Sequence, residues 1–229
     1  MSYRHRSNTG QELALPVGKV ICVGRNYAEH ALELNNSVPT EPILFIKPST
    51  AVVDMRQPIG IPTEQGSCHV ETEIALLIDT KLCRATERKA AEAIAGLGLG
   101  FDLTLRDVQN ELKKNGLPWE MAKAFDGSCP LSGFLPVTRP EWDNIGLQLQ
   151  LNGEIQQYGN SIDMITPIVS LLVYISHHFT LLPGDVVLTG TPAGVCPLSI
   201  GDQLIARVVD PVSELELAVE TEIVSISDR

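Results

Sequence analysis

Three carboxylates, two of them separated by a single residue, are where this chain first invites chemistry. The stretch CHVETEIALLI, residues 68–78, places Glu71 and Glu73 inside an otherwise apolar run. In a strand, alternate side chains share a face, so Glu71, Glu73, Ala75 and Leu77 point one way and Val70, Thr72, Ile74, Leu76 and Ile78 the other. Two residues of strand span about 6.6 Å, near enough for the carboxylates to repel unless water or a cation lies between them. With no Lys or Arg in the stretch, the ordinary reading is an outward strand face with both glutamates in water. Asp102 follows the glycine-spaced GLGLGF and precedes RDVQNELKKNG, where an aspartate serves as well for a helix cap as for a ligand. Taken with Glu71 and Glu73 it makes an oxygen-only set without thiolate or imidazole, which suits a hard cation such as magnesium or manganese.

Other residues add proton and charge chemistry. His30 and Glu33 are three apart in a helical segment and share a face, as a surface pair or as a general base with its partner. Arg25, just before that segment, is equally open. Lys123 in WEMAKAFDGSCP sits between apolar residues, out of pattern for a surface lysine, unless its stem lies along apolar surface and its head reaches water. LTGTPAGV, residues 188–195, is a loop of small residues able to turn backbone N–H groups toward an anion, but it lacks the lysine of a phosphate loop.

These residues depend on elements that the pattern outlines. KVICVG (19–24) reads as a strand, NYAEHALELN (26–35) as a helix capped by Asn26, and ILFIKPST as a strand stopped by proline. Residues 56–67 read as a loop, and TERKAAEAIAG (86–96) as a helix ending on glycine before the strand LGLGFDLTL. RDVQNELKKNG has acidic residues early and lysines late, as the helix dipole prefers. IGLQLQLNGEIQQYGN alternates about an Asn-Gly turn and predicts a hairpin. TPIVSLLVYISHHF predicts an amphipathic helix starting at Thr166, and closing strands follow. Long strands with separate helices and no regular βαβ alternation indicate an α+β fold.

Length and composition narrow the partners. The 229 residues suffice for one large domain and contain no linker-like stretch. Asp and Glu outnumber Lys and Arg by 28 to 17, a formal net charge of −11, which argues against nucleic acid or an anionic membrane as partner. No apolar run is long enough to span a bilayer, and the polar start MSYRHRSNTG lacks a secretory apolar core, so the expected location is the cytoplasm. Five widely spaced cysteines without a CxxC pair suit reduced, packed thiols.

Jointly, VGRNYAEHALEL, PILFIKPST, HVETEIALLI, GFDLTLRDVQ, PWEMAKAFDGSCPLS, GNSIDMI and LLPGDVVLTGTPAGV resemble the fumarylacetoacetate hydrolase family, in family order over about residues 19–201. The likeness is to its short, single-domain acylpyruvate hydrolase and oxaloacetate decarboxylase branch. It implies a mixed β-roll or β-sandwich with short flanking helices, with residues 1–18 as an N-terminal extension and 19–229 as one catalytic domain, usually in a homodimer. It further implies that Glu71, Glu73 and Asp102 hold one Mg2+ or Mn2+. Lys123 then contacts substrate beside the metal, and His30 with Glu33 orders or deprotonates water. Arg25, Arg106, Gln109 and Thr189 become pocket residues. The expected activity is cleavage of the carbon–carbon bond of acylpyruvates to pyruvate and a carboxylic acid, with decarboxylation of oxaloacetate as a second activity. The alternatives are a hydratase or isomerase of unsaturated 2-oxo acids and, in another class, a noncatalytic metal- or ligand-binding scaffold. Gly98-Leu99 stands where the family often has Gly-Tyr, and Ala124 follows the lysine, two positions expected to affect pocket shape.

Overall fold

The structure, a computed structural model, describes residues 3–33, 37–137, 142–210 and 215–226. The apolar runs assemble a mixed eight-stranded sheet in the order Ile43–Lys47, Val20–Gly24, Val186–Leu188, Thr72–Ile78, Ile94–Phe101, Cys129–Leu131, Val52–Asp54, with Leu135–Pro136 also against Ile94–Phe101. Val20–Gly24 runs parallel to Val186–Leu188 and antiparallel to Ile43–Lys47. A five-stranded sheet carries the predicted hairpin, Gly146–Leu151 and Glu154–Asn160, and a three-stranded one joins Cys68–Val70 to Thr104–Leu105 and Cys196–Pro197. Asn152 and Gly153 turn the hairpin at φ 50° and 87°, the left-handed pair that suits the strand twist. Sheets with a few short helices give the α+β architecture expected.

Alternation along the central strands feeds two cores. Ile74, Leu76 and Ile78 join the larger cluster, while Ala75 and Leu77 join a second one with Cys22, Leu131, Phe134 and Leu188. Tyr3, Leu13, Leu15 and Val17 pack on that second cluster, so the N-terminal segment covers a sheet face that would otherwise meet water. The strand Thr72–Ile78 is therefore buried along its whole length, and the solvated glutamate face expected from sequence is not found: Glu71 and Glu73 are 5% and 1% exposed. Glycines on the neighbouring strand allow the layers to close. A Cβ at Gly100 would lie 2.4 Å from Leu188 Cδ2, a distance real side chains do not tolerate.

Several boundaries differ from expectation. The glutamate stretch is two strands broken at Glu71, and Ile59–Ile61 forms a strand inside the expected loop, parallel to Leu215–Ser225. The helix expected over 86–96 ends at Glu92, because Ile94 pairs with Ile78 and draws the following glycines into the sheet. The first helix is Ala28–Glu33, and residues 34–35 of the expected span lie outside the described residues. Asn26 does not cap it. Its amide donates to the carbonyls of Thr166 and Thr189 and its oxygen accepts from Thr166 N, clamping two distant loops together. The helix expected from Thr166 begins at Ile168, with Pro167 in the cap position. Among the described residues no helix is long and apolar enough to cross a membrane. All five cysteines are free, and every one but Cys83 is buried.

Candidate active site

The strand break at Glu71 builds the site. Asp102 N donates to the Glu71 carbonyl at 2.8 Å just past the end of the paired strands, which brings the Asp102 side chain beside the two glutamates. One carboxylate oxygen from each of Glu71, Glu73 and Asp102 lies within 4.8 Å of the others, and all three side chains are buried. Asp102 is no helix cap, since Leu105 holds that position for the helix Arg106–Lys114.

Cations are distributed unevenly over this triad. Lys123, delivered by the short helix Glu120–Lys123, donates to Glu71 Oε2 at 2.8 Å, Asp102 Oδ2 at 2.5 Å and Thr104 Oγ1 at 2.6 Å. Its ammonium is thus inside the site and not at the surface. Arg106 pairs with Glu71 Oε1 and donates to Gln109 Oε1 at 2.7 Å. Glu73 receives only the Gly190 N–H, at 2.6 Å, and no cation among the described residues. Burial would raise the Glu71 carboxyl, but Lys123 and Arg106 overcome that and hold it well below the usual carboxylate range. Burial followed by the Asp102 and Glu71 charges pushes Glu73 well above it. Lys123 is held above the ordinary lysine range although burial opposes this, because Asp102 and Glu71 face it. Three buried carboxylates, one of them uncompensated, form a hard all-oxygen donor set that can hold a divalent metal.

The small-residue loop after Val186–Leu188 does present its N–H groups to anions, and the anions are the protein's own. Gly190 N holds Glu73, and Gly194 N lies 3.1 Å from both oxygens of Glu33. Both glycines have φ above 90°, and a Cβ at Gly194 would sit 2.1 Å from the Gln156 carbonyl.

His30 lines the cleft above the triad and is 4% exposed. Burial lowers its pKa, so the imidazole is neutral at pH 7, and its Nδ1 has no hydrogen-bond partner among the described residues. Glu33 Oε2 is 3.6 Å away, a charge contact but not the hydrogen bond that helical spacing permits. Arg25, Arg106 and Gln109 reach the cleft as expected. Thr189 lies beneath it with its hydroxyl on the Ile74 carbonyl at 3.2 Å, and Thr191 takes the place on the wall. Leu99 is fully buried in the main core and, like Ala124, is not part of the cleft lining. About 30 Å³ of the cleft is free, room for about one water.

Two lysines outside the sequence-based set belong to this region. Lys47, fully buried, lies 2.9 Å from Asp102 Oδ1 and donates to the carbonyls of Leu103, Ser128 and Lys123. It carries the signal that marked Lys123, a lysine within an apolar run. Lys113 lines the cleft seven residues beyond Arg106, on the same helical face.

Comparison with known proteins places this geometry. The chain is 55% identical over 204 residues to the oxaloacetate tautomerase YcgM of Escherichia coli, covering 88% of this chain and 93% of that one. The structure of fumarylpyruvate hydrolase from Pseudomonas aeruginosa in complex with Mn2+ and pyruvate superimposes with a TM-score of 0.87 at 32% identity, over 98% of this chain and 96% of that one. The 5-carboxymethyl-2-hydroxymuconate delta-isomerase from Mycobacterium smegmatis gives 0.78 at 34% identity, over 92% and 80%. The family model for the fumarylacetoacetate (FAA) hydrolase C-terminal region matches residues 19–226, nearly the whole described body, and the chain belongs to the fumarylacetoacetate hydrolase family.

Proposed function

We propose that this protein is a divalent-metal-dependent enzyme that interconverts the keto and enol forms of a small 2-oxo acid, oxaloacetate first among them. One observation carries this: a buried, neutral His30 faces the same cleft as the Lys123 ammonium and the Arg106 guanidinium. Enolisation needs a base at the carbon next to the keto group and positive charge at the keto oxygen, and this cleft offers both. The name of the Escherichia coli relative supports oxaloacetate as the substrate. Tautomerisation is not the hydrolysis expected from sequence, although the two share the enolate.

In this mechanism Arg106 and Lys123 orient the substrate anion by charge. His30 takes a proton from C3, the C–H electron pair forms the C2–C3 double bond, and the keto oxygen accumulates the negative charge. A proton delivered to that oxygen completes the enol, and the reverse sequence restores the ketone. A divalent ion held by Glu71, Glu73 and Asp102 would supply Lewis-acid polarisation of the 2-oxo group. Gln109 holds the Arg106 fork in place through its 2.7 Å hydrogen bond. The five free cysteines are in keeping with a reducing, cytoplasmic setting.

A second reading, cleavage of acylpyruvates, is supported by the Glu33 carboxylate beside His30, which suits activation of water, and by the likeness to fumarylpyruvate hydrolase. One experiment ranks the two. Enol-oxaloacetate and acetylpyruvate are supplied in parallel, with magnesium or manganese and then with chelator, following enol absorbance and pyruvate release. Metal-dependent loss of enol without pyruvate is expected. Faster metal-dependent formation of pyruvate and acetate from acetylpyruvate would replace tautomerisation by hydrolysis.

A further inference from the structure

Two cations in the cleft lack a carboxylate of their own. Lys123, Arg106 and Lys47 are all matched to Glu71 or Asp102. Arg25 and Lys113 line the same cleft, and neither is ion-paired among the described residues. Lys113 stands on the face of the helix Arg106–Lys114 that also carries Arg106 and Gln109. Its Nζ lies 5.3 Å from the centroid of the Trp119 ring, and Trp119 packs 6.1 Å from Phe45, so two aromatic rings build the wall beside the ammonium. Arg25 approaches from the end of the strand Val20–Gly24 with φ 61°, a left-handed conformation uncommon outside glycine and frequent at ligand clamps. Burial and then the charges of Arg106, Arg25 and Lys123 bring the Lys113 ammonium down to about 8. Unmatched positive charge thus collects in a half-buried cleft of a chain whose net charge is −11. Such a focus lowers its energy when an anion arrives.

We infer that Lys113, assisted by Arg25, forms a second anion subsite that takes the carboxylate remote from the 2-oxo group and selects dicarboxylic over monocarboxylic 2-oxo acids. This rests on the proposed 2-oxo acid activity. Arg106 is less suited to that discrimination because Glu71 already neutralises it. The Trp119 face gives Lys113 a fixed perch without a competing carboxylate.

The test is calorimetric titration of the magnesium-loaded protein with pyruvate and with 3,3-difluorooxaloacetate, a dicarboxylate with no C3 hydrogen to remove. Wild type is expected to favour the dicarboxylate by at least about tenfold, the worth of one charge-assisted contact. Lys113→Met should remove most of that preference while pyruvate binding changes less than about twofold. Lys113→Arg, which keeps the charge, should restore it, and this guards against a folding defect in the first variant. Equal weakening of both ligands, or unchanged selectivity, overturns the subsite and leaves the 2-oxo acid function standing. If neither ligand binds the wild-type protein, that function falls and the subsite with it.

Discussion

Lys47 Nζ lies 2.9 Å from Asp102 Oδ1, with the two side chains 0% and 2% exposed. A charge pair this deep gains little over a well-packed apolar pair, but losing Lys47 leaves the buried Asp102 with Lys123 as its remaining cation and takes a donor from the carbonyls of Leu103, Ser128 and Lys123. Lys47→Met should therefore cost about 3–5 kcal/mol of stability in the metal-free protein. Divalent metal would give Asp102 a replacement counter-charge, so the deficit should shrink at saturating magnesium. Urea unfolding with chelator and with magnesium reads both numbers. An identical deficit in the two conditions would mean that Lys47 serves packing alone.

Glu71 and Glu73 should respond oppositely to loss of charge. Glu71→Gln leaves the buried Arg106 without a carboxylate and Lys123 with Asp102 alone, and should destabilise the metal-free protein by about 3–5 kcal/mol. Glu73→Gln removes a carboxylate that has no cation and faces two others, so it should not lower metal-free stability. Both should abolish the rise in melting temperature that metal produces. Thermal melts of the two variants with and without magnesium or manganese are sufficient, and a strongly destabilised Glu73→Gln in chelator would contradict this account of the site's charge.

The grouping of the three carboxylates is legible in sequence because strand alternation alone puts Glu71 and Glu73 on one side, and the motifs supply Asp102. Their burial is not legible, because it depends on Arg106 and Lys123 closing on Glu71 and on Gly190 closing on Glu73, from 35, 52 and 117 residues away. Lys123 is legible as a lysine out of pattern. Lys47 gives the same signal, but its carbonyl partners Leu103 and Ser128 are 56 and 81 residues away, and no local pattern connects them. The helix expected over 86–96 fails for a similar reason. Helical composition there yields to pairing of Ile94 with Ile78, a contact that propensity does not register. Likewise the shared face of His30 and Glu33 follows from spacing, while the capture of Glu33 by Gly194 does not.

His30→Asn should lower kcat for tautomerisation by about 10²–10⁴-fold, the usual loss when a general base is removed. Metal-induced stabilisation should survive, since His30 is outside the carboxylate triad. Glu33→Gln should cost less, because Glu33 stands 3.6 Å from the imidazole and is held by Gly194 N. For acylpyruvate cleavage, where water must be activated, the His30 variant should lose more than it does for decarboxylation of oxaloacetate, which adds no water. Steady-state kinetics on these substrates with metal-loaded variants decides it. Retention of tautomerase activity in His30→Asn would move the base to another residue.

His5 supplies a pH dependence far from the site. It is 1% exposed, and its Nε2 contacts the Gly184 carbonyl at 2.9 Å, fastening the N-terminal segment to the turn before Val186–Leu188. Burial lowers its pKa below the ordinary 6.5 against the opposing pull of the Gly184 and Pro16 carbonyls. The unfolded chain then binds the proton more readily than the folded one, so stability from neutral His5 is present above about pH 6.5 and is lost as pH falls toward the folded value. In urea unfolding between about pH 7.5 and about pH 5.5, wild type should lose more stability than His5→Gln, which cannot take up that proton. His5→Gln should start lower at the upper pH because the fit against Phe134 and Gly184 is impaired. Parallel curves for the two proteins would show that protonation of His5 does not loosen the segment that covers the second core.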